Sequence, residues 1–204
     1  MRLYRPVTVL VGVVLVLLSG VARLTEPKQV YEETNRYTTH GTMNQPVAGK
    51  DFTLTVLRAQ AYHSYDPRPD DNDARADPQD RPRRTDGIFV AVEFEVEGRK
   101  KKGSAGEATL RSDSGTVYEP VNQLIGSSLD IPAPGFIVQS ALVFEVNPDD
   151  LAGLTFWVRP PAVITVTTED YAVDLGLPDQ ASAGEFVKRA QKMYYPADKA
   201  VRAK

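Results

Sequence analysis

Apolar and polar positions alternate without a break through residues 88–97. Ile88, Val90, Val92, Phe94 and Val96 fall on one side of an extended backbone, and Glu93, Glu95 and Glu97 on the other. A period of two with one apolar side predicts a half-buried strand. The rhythm recurs in Phe52, Leu54 and Val56, set against Thr53 and Thr55, and in Leu154, Phe156 and Val158. It recurs again from Phe136 to Val146, where Ser140 is the one polar residue in the inward phase. Ala108 and Leu110 resume the alternation after the basic segment GRKKKGSAG, residues 98–106, so a hairpin is predicted there. Val117 with Tyr118, the β-branched run from Val163 to Thr168, and Tyr171 to Leu175 supply further extended segments. Turn chemistry separates them: Ser112-Asp113-Ser114-Gly115, Pro132-Ala133-Pro134-Gly135 and Asn147-Pro148-Asp149-Asp150. About seven short strands with no helix between them predict an all-β fold, an antiparallel β-sandwich over a parallel α/β arrangement. A small closed barrel has the same periodicity and is the alternative.

Phase also sorts the aromatic residues. Phe94, Phe144 and Phe156 share the inward phase and are expected in the core, whereas Trp157 has the opposite phase and is expected on the outer surface. Trp157 is therefore the candidate exposed aromatic contact.

The ends of the chain obey different patterns. Arg2 and Arg5 precede an uncharged run from Pro6 to Ala22, centred on VTVLVGVVLVLL, and Arg23 follows it. At 1.5 Å per residue these roughly 17 residues make a helix of about 26 Å, close to a hydrocarbon core of about 30 Å. The run reads as an uncleaved signal anchor or as a signal peptide, with Gly20-Val21-Ala22 as the cleavage site. Either reading exports the remainder. Residues 1–24 are thus the membrane-targeting segment, and residues 25–46, polar with two prolines, are expected to be a stalk. The body spans 47–176, interrupted at 64–86 by a Pro-, Asp- and Arg-rich loop that cannot bury a core. Residues 177–204 form a basic tail with a short helix expected from Gly184 to about Tyr195, carrying Phe186, Val187, Ala190 and Met193 on one side, and a fraying end.

Charge and composition narrow the chemistry. Lys and Arg number 24 against 27 Asp and Glu, a formal charge of -3, which argues against a nucleic-acid binder. Cysteine is absent, so disulfides, thiolate zinc sites and thiol catalysis are unavailable. Asp71, Asp73 and Asp77 lack the glycine and distal glutamate of a calcium loop, and Arg75, Arg81, Arg83 and Arg84 offset their charge. Glu93, Glu95 and Glu97 read as a solvated strand face rather than as glycosidase carboxylates. Ser127, Ser128 and Ser140 sit in no nucleophile motif, and His40 and His63 have no spacing partner. No catalytic residue, cofactor or metal ligand is expected. Arg99 and the three lysines Lys100, Lys101 and Lys102 make a basic tip that could meet anionic envelope polymers.

The order of motifs resembles a known group. Gly49-Lys50-Asp51-Phe52-Thr53-Leu54-Thr55-Val56, Asp86-Gly87-Ile88-Phe89-Val90-Ala91-Val92, Leu110-Arg111-Ser112-Asp113-Ser114-Gly115-Thr116-Val117-Tyr118 and Pro134-Gly135 before Leu142-Val143-Phe144-Glu145-Val146 carry the likeness. They resemble an uncharacterised immunoglobulin-like domain of exported Gram-positive proteins, similar in fold to secreted immunoprotective antigens of actinobacteria, over roughly residues 47–160. The resemblance implies an immunoglobulin-like two-sheet fold and no catalytic activity. Many members are lipoproteins, whereas this chain has no cysteine to carry a lipid.

These patterns lead to an expected single-pass or secreted extracytoplasmic domain. Its partners would be the membrane, through the N-terminal helix, and envelope polymers or another membrane protein, with no nucleic acid. The competing expectation is an accessory subunit of a larger membrane assembly.

Overall fold

The computed structural model describes residues 36–67, 82–122, 129–160, 168–196 and 199–204. The membrane-targeting segment, the first part of the stalk, Asp71, Asp73 and Asp77, Ser127 and Ser128, and the run 163–167 lie outside them. No helix among the described residues is long and apolar enough to cross a membrane.

Eleven strands are described: β1 (Arg36–Thr42), β2 (Val47–Ala48), β3 (Phe52–Tyr65), β4 (Arg83–Gly98), β5 (Gly103–Arg111), β6 (Val117–Tyr118), β7 (Leu129–Ile131), β8 (Phe136–Val146), β9 (Thr155–Arg159), β10 (Thr168–Asp174) and β11 (Ala200–Ala203). An α-helix, α1, spans Gln180–Lys188, and a 3-10 turn covers Pro148–Asp150. The strands form two sheets: β1-β10-β9-β5-β6 with β7 added on β5, and β11-β8-β4-β3-β2. Separate strand orders make this a β-sandwich and not a closed barrel. The core lies between the sheets, where Leu54, Val92, Phe94 and Phe144 of one meet Leu110, Phe156, Val158 and Val173 of the other. Phe156 joins the layers: its ring centre is 5.5 Å from that of Phe94 and 6.2 Å from that of Phe144. All three are buried, as their phase predicts.

Several boundaries differ from expectation. The stalk does not reach residue 46, because Arg36–Thr42 is the edge strand β1. Its Thr-rich sequence suits a half-exposed edge, and one group ties it down. The Glu169 carboxylate accepts bonds from the Thr39 hydroxyl at 2.7 Å, the Lys50 amide at 3.0 Å and the Tyr171 hydroxyl at 3.0 Å. Partial burial would raise the pKa of Glu169, but these donors and Tyr37 outweigh it and hold the carboxyl below its ordinary value.

The segment 98–106 is not a hairpin. β4 pairs with β3 and β8, and β5 with β6, β7 and β9, so the basic tip is the crossover between sheets. Turn residues alone do not reveal whether the next strand returns to the same sheet. The interrupted loop is shorter than 64–86, since β3 runs to Tyr65 and β4 starts at Arg83, both paired with each other. The helix begins four residues before Gly184, capped by Asp179, which accepts from the Ser182 amide at 2.8 Å. It ends at Lys188, and described segments beyond it pair with the five-stranded sheet. Residues 191–194 run beside β3: the Gln191 amide donates to Ala61, His63 to Gln191, Tyr194 to Ser64 and Asp66 to Tyr194, at 2.9–3.0 Å. β11 then pairs with β8, Ala200 opposite Gln139 and Ala203 opposite Phe136.

Candidate functional site

A sandwich offers two outer faces, and the five-stranded sheet has largely filled its own. Phe89 and Ala91 of β4, Val143 of β8, and Tyr62 and Tyr65 of β3 form a second apolar cluster there, and Tyr194 covers it. The Tyr194 and Tyr62 rings meet edge to face with centres 4.9 Å apart. Burial pushes the Tyr194 phenol up to about 12. Beside this cluster the glutamate row is paired rather than bathed in water: Arg58 reaches Glu93, Arg202 bonds both oxygens of Glu95 at 3.0 and 3.1 Å, and Lys204 bonds Glu97 at 2.7 Å. Two cations of the basic tail, Arg202 and Lys204, thus serve this sheet, whereas Lys199 pairs with Asp130 of β7.

The six-stranded sheet has a different outer face. Registry places Ala172 and Thr109 directly across from Trp157 on its two neighbouring strands, and Asp174 and Arg111 across from Thr155. Glu107 lies opposite Arg159. Trp157 thus stands at the centre of a small grid, between one methyl and one short hydroxyl side chain, with charged residues around it. It is half-buried.

Arg111 explains the cover. Its guanidinium carbon lies 4.4 Å from the centre of the Trp157 ring, a cation–π contact worth about 0.5–2 kcal/mol depending on desolvation. The Arg111 Nε is shielded from solvent and meets no acceptor among the described residues. An unsatisfied, shielded N–H costs about 1–3 kcal/mol, so its presence on a sheet face is informative. On the other side of Trp157, Arg159 Nε lies 3.3 Å from Asp170 Oδ2, and the Asp170 side chain is 3% exposed. Burial, and then the nearness of Arg159, lower the proton affinity of Arg111, while Asp170 acts the other way.

A hollow of about 650 Å³ adjoins this grid. Thr155, Ala172 and Asp174 belong to both, and His40, Gln45 and Asp113 add to the polar wall. Gly153 makes room for it: the residue has φ +70°, and an added Cβ would overlap the Asp113 carboxylate.

No protein-family model matches the chain, and no curated protein matches it. Two solved structures are similar to it. One is the yjhA protein from Bacillus subtilis, 13% identical, with 66% of this chain and 98% of that chain covered and a TM-score of 0.43. The other is an uncharacterized beta-sandwich protein from Clostridium difficile 630, 7% identical, with 69% and 95% covered and a TM-score of 0.39.

The residues singled out from the sequence do not converge. Trp157 has the outward phase, as its position in β9 requires, but Arg111 lies over it. Lys100, Lys101 and Lys102 are exposed on the crossover, with Lys100 Nζ 3.9 Å from Asp51 Oδ1. About 20 Å of β5 separates them from Thr109, the neighbour of Trp157. His40 reaches the hollow, whereas His63 is exposed on β3. Ser140 is half-buried opposite Phe94. Arg111, Arg159 and Asp170 escaped sequence reasoning. Their outward phase relative to Leu110, Val158 and Tyr171 was available, but only the β5–β9–β10 registry brings them around one ring.

Proposed function

We propose that the chain is an extracytoplasmic, membrane-anchored, non-catalytic domain of immunoglobulin-like type. It makes protein or cell-envelope contacts through the outer face of its six-stranded sheet, centred on Trp157. The observation that carries this reading is the Trp157 grid: an aromatic ring between Ala172 and Thr109, capped by a guanidinium with an unmet donor and bordered by a polar hollow. Aromatic and arginine side chains dominate contact energetics, and the stacked Arg111 and Trp157 put one of each on this face. The apolar run 6–22 supports export and anchoring. The covered face of the other sheet supports the choice of surface. Protease treatment of intact cells and retention on isolated envelope test the two parts. The reading expects residues beyond 36 to be cleaved from outside, and Trp157→Ala to release the full-length chain from the envelope. Protection of the domain refutes the topology, and undiminished retention of Trp157→Ala refutes the surface.

A further inference from the structure

We propose that the end of the sandwich carrying Lys50 and the basic crossover docks on an anionic bilayer surface, that of the membrane holding the apolar run 6–22. This rests on the reading of that run as an anchor, and adds to it a membrane contact made by the domain itself. Hydrogen bonds gather this end around one carboxylate. Glu169 accepts the Lys50 amide at 3.0 Å, and Tyr37, at the start of β1, reaches the same carboxylate with its hydroxyl. Arg99 closes the crossover onto the neighbouring turn: its amide donates to Asp51 at 3.0 Å and its guanidinium to Gly49 at 2.6 Å. Five cations, Lys50, Arg99, Lys100, Lys101 and Lys102, therefore crowd two adjacent turns against the two anions Asp51 and Glu169. Lys101 and Lys102 are exposed and meet no partner among the described residues. Around them Glu97 is matched by Lys204, Asp130 by Lys199 and Asp170 by Arg159, which leaves Glu107 of β5 as the unmatched anion and positive charge in surplus.

Position selects the occupant. β1 enters the domain at this end, since Tyr37 meets Glu169 here, and residues 23–35, 13 in all, join it to the apolar run. Fully extended they span at most about 45 Å, so the tether keeps the lysines within reach of the headgroups. Tyr37 is 47% exposed, an amphipathic ring of the kind that sits at headgroup level. A free polyanion meets the same charges, but no tether holds it near them.

The chain has no cysteine, so a dye on Ser104→Cys, beside the crossover, or on Val117→Cys, opposite Arg111 at the far end of β5, occupies one site. Full-length protein would be placed in lipid nanodiscs of phosphatidylcholine, or of equimolar phosphatidylcholine and phosphatidylglycerol, and energy transfer to a headgroup acceptor measured. Transfer from Ser104→Cys should be higher in the mixed discs, and 1 M sodium chloride, with a screening length of about 3 Å, should return it to the phosphatidylcholine level. Val117→Cys should report little difference between the discs. Lys101→Ser with Lys102→Ser should lower the ratio of docked to undocked chains about 25-fold at low salt, about fivefold per lysine. Lys188→Ser with Lys192→Ser should leave it unchanged. Equal transfer in the two discs overturns the docking, and so does an equal loss from both lysine pairs, which would mark an effect of net charge. Saturable binding of soluble polyphosphate through Lys101 and Lys102, with no difference between discs, would assign the tip to a polymer instead. Extraction of the unaltered chain from its native membrane by alkaline carbonate would sink the anchor and the docking with it. A chain that resists extraction and still shows equal transfer would lose the docking alone.

Discussion

Replacing Tyr194 with alanine should loosen the whole C-terminal clasp on the five-stranded sheet. The Tyr194 side chain is 5% exposed and touches Tyr62 and Tyr65, with ring centres 4.9 and 6.4 Å away, above Phe89 and Val143. Truncating a buried aromatic side chain costs about 3–5 kcal/mol, and the lower end applies here because the cluster lies under one covering segment that can partly collapse. A loss of about 3 kcal/mol at about 2–4 °C per kcal/mol for a body of this size lowers Tm by roughly 6–12 °C. Tyr194→Phe is the control, since it keeps the ring and removes only the hydroxyl; its shift should stay within about 1 kcal/mol. Differential scanning calorimetry of both variants gives the comparison. Amide exchange adds a local readout, because Gln191, His63, Tyr194 and Asp66 donate across the same seam. In Tyr194→Ala these amides should exchange faster than those between β4 and β8. A Tyr194→Ala protein melting within 2 °C of the unaltered chain, roughly the lowest shift for 1 kcal/mol, would refute the clasp.

Three further outcomes follow from the same packing. Gly49→Ala would drive a methyl group into the Tyr171 hydroxyl and Glu169 carboxylate, and the overpacking should cost about 1–3 kcal/mol in urea unfolding. The Glu169 carboxyl is held below its ordinary 4.5, so its contribution is present above that pH and fades as pH falls through the lowered folded-state value. Glu169→Gln should therefore flatten the loss of Tm on acidification below about pH 4.5, and an unchanged slope would show that the carboxylate is not the tie. Removing the β11 ion pairs with Arg202→Ala and Lys204→Ala together should lower Tm by about 2–4 °C at low salt, for about 1 kcal/mol in total. That difference should shrink in 1 M sodium chloride, where the screening length is about 3 Å.

Inward alternation made the central strands legible. Val90, Val92, Phe94 and Val96 could be assigned to the core because each stands two residues from the next, and Phe144 and Phe156 followed by the same argument. β1 was not legible, because an edge strand stabilised through Thr39 and Glu169, 130 positions apart, needs no apolar stripe of its own. The glutamate row looked solvated for a related reason: its partners Arg202 and Lys204 are 107 residues away in the chain. The crossover at 98–103 was misread as a hairpin because its turn chemistry is local while sheet membership is not. The outward phase of Trp157 was readable, but the grid around it was not. Arg111, Arg159 and Asp170 belong to three strands, and their meeting depends on registers that no local pattern encodes.

The central claim is that the face around Trp157 is where this domain meets its partner. Retention of the full-length chain on isolated cell envelope, measured side by side for the unaltered protein and Trp157→Ala at matched thermal stability, addresses it most directly. Loss of retention in the variant is the predicted result, and equal retention of the two proteins would contradict it.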